Sequence, residues 1–414
     1  MVPPIDRFGG YDRPVYLVAV ARFVNTFGSG VVYPFATLYF VRVVGIPFTL
    51  VGTGLFANNV ALATGTLLGG YLSDRYGRKP VMVASMALSA PALAAYALVS
   101  TAAGFVAVAS AAGLAMGLFA PAAQATVADA TDSEAREGAY GLLKVASNAG
   151  FGSGFVAGGL LYSVANVAVF VVDGATSAAV ALALLVGLPA IHGGREAATT
   201  VRGTLAEWRR AVADRTVLAL ALLNVGFAVM YAQMQSTVPV FAEGRLGLTS
   251  AQLGTLYVLN PLVIVVFQLP VVAAVRRRSW RRTRGLVVSA GLWGASFVAL
   301  LGVFRAPRLL GIGLVGAFLV LRTFGEVLHS PLITALTSDV GTVDTRGSQL
   351  SVLEVAKRLG FGIGPVIGGA FFDLGEVGLL WAVLLVGCLV LGAGLLALER
   401  SIPAGINGRP AAAD

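Results

Sequence analysis

The sequence predicts an all-α membrane protein: twelve transmembrane helices in two pseudo-symmetric six-helix bundles. Three observations carry the prediction. Of 414 residues, 57% are hydrophobic and only 12% are charged, about half the charged share of a soluble domain. Apolar runs of membrane-spanning length recur along the whole chain, and the stretches around Pro121–Gly159 and Pro331–Gly369 repeat one another.

A helix needs about 20 apolar residues to cross the hydrocarbon layer. Runs between charged breaks give spans at 15–41, 48–73, 80–99, 103–127, 138–163, 165–191, 214–241, 249–275, 285–304, 308–337, 347–373 and 376–398. The connection after Ser163 is short enough to force antiparallel neighbours. The segment His192–Asp214 is the one long polar connection. It contains Glu207-Trp-Arg-Arg, which suits a short amphipathic helix on the membrane surface. The domains expected are therefore a bundle at 1–191, a linker at 192–213, and a second bundle at 214–414 with a short tail. Met1-Val-Pro-Pro shows no basic region followed by a cleavage site, so no signal peptide is expected.

Basic residues orient the spans. Twenty Lys and Arg fall in connections on one side, including Arg276, Arg277, Arg278, Arg281, Arg282 and Arg284; four, Arg42, Arg245, Arg305 and Arg308, fall on the other. This asymmetry places both termini in the cytoplasm of a multi-pass protein of the plasma or inner membrane. It also accounts for the net charge of +9 without nucleic acid. The Arg276–Arg284 cluster reads as a topology anchor beside anionic headgroups.

Several chemistries are excluded. Cys388 is the only cysteine, and His192 and His329 are the only histidines, so no disulfide or Cys/His zinc site can be assembled. None of Lys79, Lys144 and Lys357 precedes Ser or Thr, so there is no P-loop. No Gly-x-Ser-x-Gly elbow exists. Gly311-Ile-Gly313-Leu-Val-Gly316 fits a dinucleotide fingerprint, but it lies inside an apolar span with no strand before it. No cofactor, metal or enzymatic activity is expected.

The internal repeat is read at a constant offset of 210. It lays Pro121 on Pro331, Asp129 on Asp339 and Arg136 on Arg346, and Gly150, Gly152, Gly154, Gly158 and Gly159 on Gly360, Gly362, Gly364, Gly368 and Gly369. Spans 4–5 and 10–11 are thus repeat partners. Parallel six-helix repeats place a transporter's substrate site between the halves, near mid-membrane.

The connection after span 2 reads Gly69-Gly70-Tyr71-Leu72-Ser73-Asp74-Arg75-Tyr76-Gly77-Arg78-Lys79. It closely resembles the span 2–3 motif of the major facilitator superfamily, and the subgroup it resembles most is the drug/proton antiporters. The resemblance covers essentially the whole chain. It implies that Asp74 faces the start of span 11 near Ser348, that Arg78 pairs with Asp129, and that these contacts hold the outward-open state and break as the halves rock. Gly70, Asp74, Arg75, Gly77, Arg78, Lys79 and Asp129 are therefore gate candidates, together with Glu354 and Arg358 on span 11. Antiporters of the family carry Gly-x-x-x-Gly-Pro-x-x-Gly-Gly on span 5. Here span 11 has it complete, as Gly360, Gly364, Pro365, Gly368 and Gly369. Span 5 keeps Gly150, Gly154, Gly158 and Gly159 but has Phe155 for the proline. Plain helix packing is an equal reading of these glycines. The arginine that family members often carry in mid span 4 is also missing, with Gly113 at its position.

Charge inside the membrane concentrates on span 10. Arg322, Glu326 and His329 lie four and three residues apart, on one helix face. A charge at bilayer depth costs at least about 2.5–3.5 kcal/mol and calls for a partner or a cavity. Glu326 is the leading proton-coupling candidate, with Arg322 as its switch and Asp173 as a second acid. Burial favours the neutral acid and the adjacent guanidinium favours the carboxylate, so displacement of Arg322 changes proton affinity. The alternative is a fixed Arg322–Glu326 pair. His329 reads as a plain hydrogen-bonding residue, and the alternative for Asp173 is a local cap or local hydrogen bond. In the family, spans 1, 4, 7 and 10 line the cavity, which makes Arg22, Asn25, Tyr33, Gln124, Tyr231 and Gln235 substrate candidates, with Asn224 and Gln233 beside them. Walls rich in Phe23, Phe27, Met116, Met230 and Met234 suit a bulky apolar or amphipathic solute.

The expectation is proton-coupled export of lipophilic or amphipathic compounds by alternating access. Its partners are a small-molecule substrate, protons and the lipid bilayer, and the protein is expected to be a monomer. Coupled uptake or exchange of a small organic solute such as a sugar is the alternative, and a non-transporting membrane receptor is the alternative of another class.

Overall fold

The computed structural model describes residues 10–189, 209, 213–277, 281–340, 346–403 and 405–408. The surface helix expected around Glu207-Trp208, the side chains of Arg276, Arg277 and Arg278, and His192 lie outside the described residues. Among the described residues the chain is helical throughout: α1 (Arg13–Leu38), α2 (Phe48–Tyr76), α3 (Arg78–Ala94), α4 (Ala102–Gly117), α5 (Phe119–Asp129), α6 (Ser133–Val164), α7 (Ala168–Gly187), α8 (Arg215–Leu246), α9 (Ser250–Tyr257), α10 (Leu259–Arg277), α11 (Arg282–Gly302), α12 (Arg308–Val340), α13 (Arg346–Asp373) and α14 (Val377–Glu399).

Two expected spans are each broken in two. Span 4 becomes α4 and α5, and span 8 becomes α9 and α10. Proline is the cause in both. Pro121 has no N–H for the Gly117 carbonyl and Pro261 none for that of Tyr257, so the ladder stops at those residues. Span 5 begins earlier than its apolar run, at Ser133, and span 6 ends sooner, at Gly187. Among the described residues, nine helical segments are long and apolar enough to cross a membrane by length and composition. α2, α6 and α13 fall outside that set, and these are the three that carry the glycine motifs.

The chain forms two compact units. The first comprises Met1–Ala198 and Thr249–Pro261, the second Thr199–Leu248 and Leu262–Asp414. In the first, the glycines of α6 bring backbones together: a Cβ at Gly154 would stand 2.9 Å from Gly30 Cα, and one at Gly158 would stand 2.8 Å from Val31 Cα, both on α1. Gly159 on the same helix meets Gly254 of α9, with 3.2 Å to its Cα. At one end of this unit Tyr39, Phe40, Tyr96, Phe105 and Phe170 form an aromatic cluster, with the Phe40 and Phe105 rings 4.4 Å apart. The second unit repeats the glycine contact. A Cβ at Gly360 or Gly364 of α13 would lie 2.6 and 2.7 Å from Ala228 and Ala232 Cβ of α8. Its core includes Phe227, Trp293, Phe297 and Trp381, all under 2% exposed.

Candidate functional site

The turn between α2 and α3 is a single residue, Gly77, at φ +96°, a conformation that favours glycine. That turn drops Arg78 into the end of the first unit, where it is 8% exposed. Its Nε donates to Asp129 Oδ2 at 3.1 Å and its Nη1 to Ser73 Oγ at 3.0 Å, and it forms an ion pair with Asp74. Asp74 itself is 66% exposed at the side chain. Arg75 turns outward to Tyr71 Oη at 2.9 Å. Lys79 Nζ donates to the Leu188 carbonyl at 2.6 Å, capping the end of α7. Gly70 has open space around it, with nothing within 4 Å of a Cβ.

The second unit holds a buried ion pair. Arg322 on α12 is 1% exposed. Its Nη1 donates to Glu326 Oε2 at 2.7 Å, one turn along the helix. Tyr231 of α8 completes the site: its hydroxyl donates to Glu326 Oε1 at 2.8 Å, while its ring lies under the guanidinium, 3.7 Å from Arg322 Cζ. Cation–π contact of this kind is stronger in a desolvated place. Trp293 of α11 flanks the group at 5.8 Å, and its Nε1 donates to the Arg322 carbonyl at 2.8 Å. Ser289 Oγ donates to the Gly325 carbonyl at 2.7 Å. The indole lies against Gly325, where any Cβ would overlap it. Arg322 Nε and Nη2 have no hydrogen-bond partner among the described residues. The carboxylate side is the more open one, at 18% side-chain exposure against 2% for the arginine.

Sequence reasoning found Arg322, Glu326 and Tyr231 but missed Trp293 and Ser289 as their supports. A lone tryptophan in span 9 whose indole N–H must find an acceptor was the available signal. His329 differs from expectation. It packs against Phe227 at 4.3 Å between ring centroids, and its Nε2 is buried without a hydrogen-bond partner.

Other candidates scatter. Asn25 is buried at 7% and turns into the core, Nδ2 to Met86 Sδ at 3.6 Å. The Arg22 guanidinium lies 6.0 Å from the Phe119 ring. Tyr33 sits edge-on to Phe151, and Gln124 is exposed. Gln235 is half-buried. Asn224 and Gln233 are packing residues, at 2% and 0% exposure. They donate to the carbonyls of Leu353 and Gly364 and so tie α8 to α13. Glu354 pairs with Arg358 at 3.0 Å and with Lys357 at 3.4 Å. Asp173, on α7, makes no local cap with its Oδ1, which is buried without a partner. At Gly113 a side chain would run into the backbone of Asn58 on α2, so close helix packing fills the place where the family's arginine would stand.

The family model described as Major Facilitator Superfamily matches residues 18–340 and 244–413. The chain belongs to the Major Facilitator Superfamily. It is a multi-pass membrane transporter of that superfamily, not an enzyme. It is 23% identical over 364 residues to the uncharacterized MFS-type transporter YttB of Bacillus subtilis, covering 87% of this chain and 89% of that one. It is 25% identical over 391 residues to the multidrug resistance protein MdtH of Aeromonas hydrophila, covering 90% and 94%. Among solved structures, the nucleoside transporter NupG superposes with a TM-score of 0.75 at 14% identity, covering 94% of this chain and all of that one. A POT family transporter in complex with 5-aminolevulinic acid gives 0.78 at 14%, covering 95% and 97%. At such identities these two likenesses speak to the fold.

Proposed function

We propose that this transporter exports lipophilic or amphipathic compounds in exchange for protons, with Glu326 as the proton carrier and Arg322 as its switch. The observation that carries the reading is the closed triangle of Arg322, Glu326 and Tyr231. With the acid ionised, the pair is neutral overall and every oxygen of the carboxylate is engaged. Protonation of Glu326 leaves Arg322 as an uncompensated cation in a place that is 1% exposed. Such a cation is costly in low dielectric, so the protonated site favours an arrangement in which Arg322 has moved or water has entered. A ligand shifts a two-state equilibrium only by its differential affinity for the two states. Here the proton has that difference, and a cationic or amphipathic substrate that takes Arg322's place beside Glu326 has it with the opposite sign.

The multidrug resistance relatives support the outward direction, and the twenty-to-four distribution of basic residues supports cytoplasmic termini in the cell membrane. Asp74, Arg75, Arg78, Lys79 and Asp129, and on α13 Glu354 and Arg358, act in this reading as gate charges at the cytoplasmic ends of their helices. The protein works as a monomer, built as bundles 1–191 and 214–414.

The test is a flux assay in proteoliposomes with an imposed pH gradient, run against a panel of lipophilic dyes, sugars and small metabolites. Gradient-dependent movement of the dyes opposite to the proton supports the reading. Movement of a sugar or metabolite with the proton, and none of the dyes, replaces it with coupled uptake.

A further inference from the structure

A second acid lies in the first unit, away from the Arg322 triangle. Asp173 of α7 is 2% exposed. Its carboxyl lies against the backbone of α1 at Gly28, where a Cβ would overlap Oδ1 and stand 3.3 Å from Asp173 Cα. Glycine at position 28 is what makes room for it.

Nothing around this carboxyl neutralises it. Among the described residues Asp173 makes no ion pair, and Oδ1 has no hydrogen-bond donor. From α1 the nearest cation in sequence is Arg22, six residues or about 9 Å of helix rise below Gly28, and its guanidinium sits beside Phe119. From the turn after α3 comes the phenol of Tyr96, within electrostatic range of Asp173, and from α1 that of Tyr33, within range of Tyr96. α3 carries only Arg78 and Lys79, both at its first turn and both committed elsewhere. The oxygens nearby are also unspent. Ser177, one turn along α7 on the same face, and Ser89 of α3 are both 0% exposed, and neither hydroxyl has a partner. α3 and α7 pack closely where Gly174 meets the Ala90 carbonyl, 2.7 Å from a Cβ there, which brings Ser89 and Ser177 to neighbouring turns.

An ionised carboxylate in such a place has no counter-charge and no donor at Oδ1, and burial costs the charged form far more than the neutral acid. We propose that Asp173 is a proton-binding site in its own right, neutral while α1 packs against α7 at Gly28 and ionised only when that contact opens. The first unit then carries a proton independently of Glu326, and the occupancy of Asp173 reports on the α1–α7 contact. The inference stands on this unit alone and does not rest on the coupling role of Glu326.

Infrared spectroscopy of the full chain in liposomes tests it, in a Glu326→Gln background so that the Glu326 carboxyl adds no band. At neutral pH the carbonyl band of a protonated carboxyl should be present and should be lost in Asp173→Asn. On raising the pH it should give way reversibly to a carboxylate band. An identical spectrum from Asp173→Asn at neutral pH shows an ionised Asp173 and overturns the proposal. A band that persists unchanged at alkaline pH, in protein still helical by circular dichroism, marks a fixed structural proton and overturns it equally. Should Asp173→Asn fail to fold, carbon-13 aspartate in the unsubstituted residue-173 background reads the same band through its isotope shift, with the same two outcomes.

Discussion

Asp129 and Asp339, 210 positions apart, each stand in the last turn of a helix and each accept from an arginine at the head of an earlier one. Arg78 Nε reaches Asp129 at 3.1 Å, and Arg282 Nη1 reaches Asp339 at 2.7 Å. The repeat read from sequence thus has an equivalent in side-chain contacts within each unit. The surroundings differ. Arg78 is shared with Ser73 and Asp74, whereas Arg282 also donates to the carbonyls of Ala335 and Ile406.

Double-mutant cycles on these two pairs should give different couplings. The side chain of Arg78 is 10% exposed and that of Arg282 24%, with Asp129 at 32% and Asp339 at 40%. Exposed pairs are worth about 0.2–1 kcal/mol. Arg78→Ala with Asp129→Asn should therefore show the larger coupling, near the top of that range, in thermal unfolding of the purified protein. Equal couplings would mean that burial does not set the strength of these contacts.

The glycines separate by what they touch. Gly154→Ala pushes a methyl group against the Gly30 backbone, which cannot yield without moving α1. We expect a loss of roughly 1–3 kcal/mol, seen as a lower melting temperature. Gly70→Ala meets nothing within 4 Å and should leave stability equal or raise it by up to about 1 kcal/mol, since alanine is the better helix former. A melting temperature that falls as far in Gly70→Ala as in Gly154→Ala contradicts this.

Around the buried pair, Tyr231 and Trp293 should differ in kind. Tyr231→Phe removes the donor to Glu326 Oε1 and so weakens the carboxylate form. The pH profile of exchange should move toward higher pH. Trp293→Phe removes the donor to the Arg322 carbonyl and should lower stability by about 1 kcal/mol with the profile in place. If both variants shift the profile alike, the triangle is not what sets proton affinity.

The segment after α14 returns to the start of α11. Asn407, 1% exposed, accepts from Thr283 N at 3.0 Å through Oδ1 and donates to Thr283 Oγ1 at 2.9 Å, while its carbonyl accepts from Arg282 N at 2.9 Å. This caps α11 from a distance in sequence, with Glu399 adding contacts to Arg281, Thr283 and Arg284. Loss of an N-cap costs about 1 kcal/mol. Asn407→Ala should lower the melting temperature accordingly, whereas Ser401→Ala, whose exposed hydroxyl bonds only the Leu398 carbonyl, should not.

Much of this was legible in the sequence because it is periodic or local. Apolar runs fix the helices, the spacing of four between Arg322 and Glu326 fixes their contact, and the constant offset marks Asp129 and Asp339 as equivalents. The contacts that depend on how helices pack were not legible. Nothing in the sequence says that the Tyr231 ring lies under Arg322, that Trp293 holds the carbonyl of the same residue, or that Asn224 and Gln233 spend their amides on α13. Pro121 and Pro261 could have announced the two helix breaks. Prolines 34, 239, 331 and 365 sit inside unbroken helices, so the residue type alone does not decide.

The most direct measurement compares wild type with Glu326→Gln in proteoliposomes by two assays on one dye: flux driven by a pH gradient, and dye-for-dye exchange without one. Glutamine keeps the size of the acid and cannot release a proton, so exchange should persist while the pH-driven flux is lost. Full pH-driven flux in Glu326→Gln would show that the proton travels by another route and that Arg322 and Glu326 are a fixed structural pair.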